Sequence, residues 1–416
     1  MPIFGPSWVG QLERREQTAD LAVDREFGSA RLLVTAGGVP VGLMTVPLTD
    51  GRATAAAVRA ALDEQIGADR MVEEPPSSIE PLTVVIATRG RPDSLQRCVR
   101  GVLASDHPAV TVLVVDNDPP DDRTADVVEG FGDSSVVYIR EPRRGVSVGR
   151  NRGLREATTD IVAFTDDDTE VDVGWARRIA GAFDADPTLA CLSGPVIAAR
   201  LGTDVELAAE HALMWNKGFA RRRFSLADPP PDSAIFPFSP GLFGIGANFA
   251  VRADIAREVG GLDEALGPGS RSHGGEDCEF MVRLVLAGHV VGYEPSVYVW
   301  HHHRTSPDAL RRQLRGYTIG LGAFLGKVAL DPGARAAAVR RLPAAIAQVR
   351  RIAARESAAG DGMPAGAGRT RLRGLLTGPW IYLRERRAVR RSGGHVPPLT
   401  SRQPAQWPKP VADRRA

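Results

Sequence analysis

Four short apolar runs constrain this chain more than any other feature: LTVVIA at Leu82–Ala87, VTVLVV at Val110–Val115, VVYI at Val136–Ile139 and IVAF at Ile161–Phe164. Runs this short, rich in β-branched residues and lacking polar alternation, are those of parallel strands covered on both faces. Pro92–Ser105 and Ser147–Thr158 fit intervening helices, the first with Pro92 in its opening turn. Strands alternating with helices predict βαβ units and an α/β fold. Ligands of such open sheets bind beyond the carboxyl ends of the strands. Polar groups follow three of the runs directly: Thr88-Arg89, Asp116-Asn117-Asp118, and Thr165 with Asp166, Asp167 and Asp168. These groups are expected to converge on one edge.

Around this segment the pattern is looser. Residues 30–48 read as two short strands turning at Gly37-Gly38, and 54–66 as a helix. Residues 1–72 therefore form a small N-terminal ββα module, and 73–80, with its paired prolines, a linker. Beyond Asp168, Cys191–Ala199 and Phe243–Val251 read as further strands with a helix near 205–215 between them. Glu276–Ala287 reads as a helix, and Val290–Tyr293 and Val297–Trp300 as strands, closing a unit that spans 81–305. Residues 306–391 read as a helical basic extension and 392–416 as a loose tail.

Composition sets outer limits. At 416 residues, 43% hydrophobic and 25% charged, the chain has the make-up of a soluble globular enzyme. Its longest weakly polar run, 316–330, is too short to cross a bilayer and contains Lys327. No secretory signal is visible at the start, and three scattered cysteines suit a reducing compartment, so a cytoplasmic location is expected. The net charge of +2 hides a division: residues 311–416 carry +17 and the rest −15. A basic region on an acidic body suits an anionic partner such as a membrane surface, or arginine-rich helices covering that body. No nucleic-acid recognition motif is present, and no nucleic acid is expected as partner.

Three successive carboxylates at a strand end repel one another unless a cation neutralises them, and Mg²⁺ or Mn²⁺ prefers such oxygen ligands. An isolated triplet also suits a solvated turn or helix cap; its place at the mouth of a sheet favours the metal. Gly274-Gly275-Glu276-Asp277 opens a helix, where acids meet a positively polarised N-terminus. His301-His302-His303 end a strand, His301 and His303 sharing one side; an exposed turn or a zinc site are the plain readings.

The strings IATRGRPDSL, VVDNDP, EPRRGVSVGRNRGL, FTDDD, GIGANFAVR, GGEDCEF and VWHHHR, in this order over roughly residues 81–305, resemble the family 2 glycosyltransferases of the GT-A fold. The resemblance implies a Rossmann-like mixed sheet flanked by helices and a nucleotide-diphosphate-sugar donor across the first half of the domain. It places Thr88 and Arg89 beside base and ribose, Asp116 and Asn117 at the nucleotide, and Arg150 near the nucleotide too. It assigns Asp166 and Asp168 to Mn²⁺ or Mg²⁺, with Asp167 touching sugar or ribose. It makes His301 a further metal ligand, with His303 second choice and Arg304 an aid to the phosphates. Asp277 becomes the general base of an inverting transfer, and Glu276 orients acceptor hydroxyls or serves as the alternative base. Arg143, Arg144 and Arg150 suit a diphosphate as counter-charges.

Acceptor contacts are less legible. Trp215, Phe243 and Trp300 are candidates for stacking on sugar rings, and equally for the core. The loop Leu266–Gly274 suits ordering over a donor. The expected activity is metal-dependent, inverting sugar transfer to a hydroxyl of a glycan, lipid-linked or cell-envelope acceptor, exercised in the cytoplasm or peripherally at the inner face of the cell membrane. A metal-dependent nucleotidyltransferase or a non-catalytic nucleotide-sugar-binding or scaffolding protein is the alternative.

Overall fold

A computed structural model describes residues 5–67, 75–239, 241–344, 346–347 and 367–400. The N-terminal module has strands β1 (Ser7–Glu13), β2 (Leu21–Ala22), β3 (Ser29–Ala36), β4 (Val39–Pro47) and β5 (Arg52–Ala53), then helix α1 (Ala55–Gln65). Ala36 pairs with Val39 across a two-residue turn in which Gly37 and Gly38 both have positive φ, as a tight hairpin requires. Thr54 caps α1 by accepting from the Ala57 amide. β1 was not expected; it lies parallel to β3, and its SWVGQLE sequence carries little apolar signal. The module is seated on the larger unit: Leu33 packs with Ile197 and Tyr298, and the Ser7 amide donates to the Leu201 carbonyl. Of the expected linker, 75–80 run beside the helix carrying Arg177, whose carbonyl accepts from the Ser78 amide, while 73–74, like 1–4 and 68–72, lie outside the described residues.

The central sheet contains β6 (Leu82–Thr88), β7 (Val110–Asn117), β8 (Val136–Glu141), β9 (Ile161–Asp166), β11 (Leu189–Ser193), β13 (Arg222–Phe224), β14 (Asn248–Arg252) and β15 (Val290–Tyr293). Its order is β13-β15-β11-β14-β9-β6-β7-β8. β9, β6, β7 and β8 run parallel, as their continuous apolar runs require, whereas β14 is antiparallel to β9 and to β11. The sheet is therefore mixed, and helices cover it: α2 (Pro92–Leu103), α3 (Arg123–Glu129), α4 (Val146–Glu156), α5 (Trp175–Ala185), α7 (Ala253–Glu258) and α8 (Glu276–Leu286). One core cluster joins α2 and α5 to one face, and the other joins α8 to the opposite face. α4 lies close on β6, for a Cβ at Gly153 would stand 2.3 Å from Val85.

A second sheet of β10 (Thr169–Val171), β16 (Val299–His301) and β12 (Val196–Ala198) crosses the mouth of the first. The run expected as one strand at Cys191–Ala199 is split between β11 and β12 at Gly194-Pro195, where a side chain at Gly194 would collide with the Val297 carbonyl. α6 (Asp204–Leu213) follows, with Thr203 and Glu206 as a reciprocal cap.

The C-terminal region forms α9 (Pro307–Leu330), α10 (Pro332–Arg340) and α11 (Ala367–Arg391). One face of α9 is spent on packing, with Leu310, Ile319, Phe324 and Val328 buried and Leu321 against the main core, while Tyr317, Leu325 and Leu330 stay exposed. α9 and α11 cross at glycines, since a Cβ at Gly378 would lie 2.5 Å from the Gly322 backbone. Lys327 is buried between Asp263 (2.7 Å) and Glu279 (2.8 Å), and Tyr382 of α11 donates to the same Asp263. Residues 392–400, expected to be loose, fold back: Leu399 is buried in the main core and the Thr400 amide donates to Asp331. The rest of that expected tail, 401–416, and 348–366 of the extension lie outside the described residues.

Candidate active site

The edge where β6, β7 and β9 end opens into a cleft of about 950 Å³. The aspartate triplet occupies the turn between β9 and β10, tied by the Thr169 hydroxyl donating to the Asp166 carbonyl (2.8 Å). Pairing of Thr169 with His301 across β10 and β16, and donation from the His302 amide to the Asp168 carbonyl, bring His301 onto the turn. His301 Nε2 lies 3.1 Å from Asp168 Oδ1. Asp166, Asp168 and His301 can each offer one ligand atom, all within 4.8 Å of one another, the one such group among the described residues. Two carboxylates and an imidazole fit Mn²⁺ or Mg²⁺ in chemistry, and among the described residues the buried His301 Nδ1 has no partner that would commit the ring elsewhere.

Arginines on two sides pair with the triplet. Arg91 pairs with Asp167 (2.8 Å) and Asp168 (3.1 Å), and Arg304 with Asp168 (3.4 Å). Thr88 donates to Asp167 (2.7 Å). Burial, then the Asp168 charge, pushes Asp167 up to about 6 despite Arg91. Burial acts on Asp168 as well, but His301, Arg304 and Arg91 outweigh it and hold its carboxyl far below the usual range. Arg91 was not anticipated; three residues past the strand end, it looks from sequence like the start of a helix.

Across the cleft, α8 starts after Gly275, whose φ is +87° and whose missing Cβ admits the Gly320 carbonyl of α9. This start brings Asp277 to the Gly246 amide, which donates to Oδ2 (2.7 Å). Arg150 is nearly fully buried and binds Asp166 (2.7 Å), Glu276 (3.1 Å) and the Gly246 carbonyl (2.8 Å). It thus ties the triplet to α8 instead of standing free for a nucleotide. Burial and the neighbouring Asp277 charge push Glu276 up to about 7 against the pull of Arg150.

Other expected contacts are redistributed. Asn117 spends its carboxamide on the loop below it, accepting from the Gly145 amide (2.7 Å) and donating to the Arg143 carbonyl (2.5 Å). Arg143 turns to Glu141 and Glu264, leaving Arg144 on the cleft wall without an ion pair among the described residues. Arg89 is exposed and pairs with Asp118 (3.0 Å). Asp116 is buried, accepting from Tyr138 (3.1 Å). His303 faces Glu210 (3.0 Å) and His302 Glu170, so only His301 joins the triplet. Trp215 reaches the cleft, edge-on to His301, but Phe243 is core beneath Phe224 and Phe236, and Trp300 packs on Tyr298. Gly267, absent a Cβ, sits against Ser147 and Glu276, so the 266–274 loop is already laid along the wall. A further wall comes from α9 through Arg312, Gln313 and Tyr317, and Lys217 also lines the cleft; nothing in a sequence that reads as a helix signals that one of its faces lines a site.

Residues 83–259 match the family model described as "Glycosyl transferase family 2". This domain belongs to glycosyl transferase family 2. The pre-mycofactocin glycosyltransferase of Mycobacterium tuberculosis is 31% identical over 313 residues, a match covering 72% of this chain and 58% of the relative's length. The chain thus spans less than two thirds of that relative. The succinoglycan biosynthesis protein ExoM of Rhizobium meliloti is 26% identical over 239 residues, 55% of this chain and 67% of ExoM. Among solved structures, the mannosyltransferase PcManGT of Pyrobaculum calidifontis, in complex with GDP-Man and Mn²⁺, is 19% identical, with a TM-score of 0.46 over 74% of this chain and 89% of that one. The family 2 domain here is a mixed sheet flanked by helices, the architecture expected from its sequence.

Proposed function

We propose that the chain transfers a sugar from a nucleoside-diphosphate sugar to an acceptor hydroxyl, with inversion and with help from a divalent metal. One observation carries the reading: the Asp166, Asp168 and His301 ligand group and the Asp277 carboxylate face one cleft, where Arg150 pairs with Asp166 on one side and with Glu276, next to Asp277, on the other. The family supports sugar transfer as the class of reaction. Thr88 and Arg89 would border the base and ribose, with Asp116 and Asn117 shaping the floor beneath them. Asp166, Asp168 and His301 would hold Mn²⁺ or Mg²⁺, which when bound offsets charge building on the departing diphosphate. Arg144 and Arg304 supply fixed positive charge on the same side.

Asp277 keeps its Oδ2 anchored on the Gly246 amide, so its carboxylate is aimed without reorganisation. An acceptor hydroxyl placed against it gives up its proton to the carboxylate as its oxygen bonds to the anomeric carbon. The bond from that carbon to the diphosphate oxygen breaks with its electron pair leaving on the nucleotide. Glu276, fixed by Arg150, orients the acceptor hydroxyl. The relatives' names mention pre-mycofactocin and succinoglycan, and an acceptor that is a glycan, lipid-linked or part of the cell envelope fits the wall of α9 and Lys217. A peripheral position at the inner membrane face belongs to the same reading; the charge of the C-terminal region supports it.

The test is a panel of nucleotide sugars with Mn²⁺ or Mg²⁺, with and without candidate acceptors, scored for nucleoside diphosphate. Metal-dependent, acceptor-stimulated release is expected. Nucleoside monophosphate with a sugar phosphate would instead indicate attack at phosphorus and contradict the proposal.

A further inference from the structure

Among the described residues, α11 packs through one of its faces and leaves the opposite one open. Gly374, Gly378 and Tyr382, spaced by four, are buried against α9 and Asp263. On the far side, a stripe at helical spacing holds Arg373, Leu376, Trp380, Arg384, Arg387 and Arg391, all exposed. Leu376 and Trp380 are 67% and 70% exposed, among the most exposed large apolar side chains described. The helix holds eight arginines and one acid. Among the described residues, Arg384, Arg387 and Arg391 make no ion pair; with Arg271 they line a surface groove of about 650 Å³. Arg271 is partly engaged by Glu385, at 3.5 Å. From Leu376 to Arg391 the stripe runs roughly 22 Å along the helix at 1.5 Å per residue.

An exposed tryptophan and leucine are costly to leave in water, and three unneutralised arginines in one row repel one another. A surface with an apolar layer beneath a sheet of negative charge relieves both at once. Tryptophan is at home where such a layer meets water, and arginine where phosphates lie. No described helix is long and apolar enough to span a membrane, so contact of this kind lies in the plane of the surface.

We propose that the outer face of α11 docks the protein on anionic lipid, with Leu376 and Trp380 entering the interface and Arg384, Arg387 and Arg391 meeting lipid phosphates. α9 is the weaker candidate, because Leu310, Ile319, Phe324 and Val328 are buried and Tyr317 lines the cleft, which leaves Leu325 and Leu330 as its exposed apolar side chains. The inference rests on the peripheral position proposed above, for which it names the element, and on none of the catalytic roles: docking is measured without donor or acceptor, so docking and sugar transfer can each fail alone.

The full chain is cosedimented with vesicles of phosphatidylcholine alone and of phosphatidylcholine with an equal part of phosphatidylglycerol, at about 0.05 M and about 0.5 M salt. Binding to the anionic vesicles that weakens with salt is expected. Arg384→Ala, Arg387→Ala and Arg391→Ala combined should lower low-salt binding roughly 100-fold, about fivefold per arginine. Leu376→Ser with Trp380→Ser should remove the binding that survives high salt. Because every substituted residue is exposed, the variants should unfold like the parent, and denaturant curves check this. The proposal is overturned if the folded full chain ignores anionic vesicles, or binds them equally well in both variants. Tighter, arginine-dependent binding to a mixed-sequence DNA duplex than to vesicles would also overturn it, giving the surface to nucleic acid.

Discussion

Asp277 and Glu276 are neighbours in sequence and differ in surroundings, which gives each a separable consequence. Asp277→Asn keeps shape and the Gly246 contact but cannot take a proton, so transfer should fall about 10²–10⁴-fold with donor affinity little changed. If Glu276→Gln is the variant that loses transfer while Asp277→Asn retains it, the base is Glu276. Glu276 also has a stability signature. Its folded value near 7 lies above the ordinary 4.5, so the folded chain holds this proton more tightly than the unfolded one. Stability should therefore fall as pH rises from about 4.5 through about 7, and thermal unfolding of Glu276→Gln should show a shallower fall. At the metal group, Asp168→Ala should abolish Mn²⁺-dependent binding of a nucleoside diphosphate by calorimetry; unchanged affinity would remove Asp168 from the ligands. The triplet, the histidines and the acid pair were legible because each is a contiguous string at a strand end or helix start. Arg91 and the buried partnership of Arg150 were not. A salt bridge from Arg150 to Glu276 spans 126 residues, and sequence gives no sign of which arginine will be enclosed.

At the scale of elements, continuous apolar runs found β6, β7, β8 and β9, whereas short or half-exposed elements escaped. β1 alternates weakly, and the Cys191–Ala199 run reads as one strand because a break that serves two sheets leaves only Gly194-Pro195 as its mark. The apolar side chains of α9 divide between faces, Leu310, Ile319, Phe324 and Val328 buried and Tyr317, Leu325 and Leu330 exposed, so helical spacing alone cannot name the surface that a helix covers. The crossing of α9 and α11 offers a direct check. Gly378→Val puts side-chain atoms where Gly322 backbone lies, and overpacking of this kind costs about 1–3 kcal/mol or more. Denaturant unfolding should show that loss, while the same change at Gly393, where an added Cβ meets nothing within 4 Å, should cost less, its positive φ alone being strained. Equal losses at both sites would mean that the crossing is not close.

At the scale of the molecule, the charge division seen in the sequence resolves into a basic cover fastened to an acidic body by Lys327 between Asp263 and Glu279. The sequence suggested a catalytic unit ending at 305, yet Arg312, Gln313 and Tyr317 line the cleft and Phe324 and Val328 belong to the main core. We therefore propose that the working unit includes α9. A chain ending after Arg304 should lose cooperative unfolding and turnover together; a folded, active fragment would restore the shorter boundary. The chemistry proposed above is a single displacement, with Asp277 assigned to the acceptor side and the Asp166, Asp168 and His301 group to the donor side of the cleft that they line. The most direct measurement is proton NMR of the first-formed glycoside, read before the anomers can equilibrate, using whichever donor the nucleotide-sugar panel identifies. Inversion relative to the donor's anomeric bond is the predicted result, and retention would contradict the account.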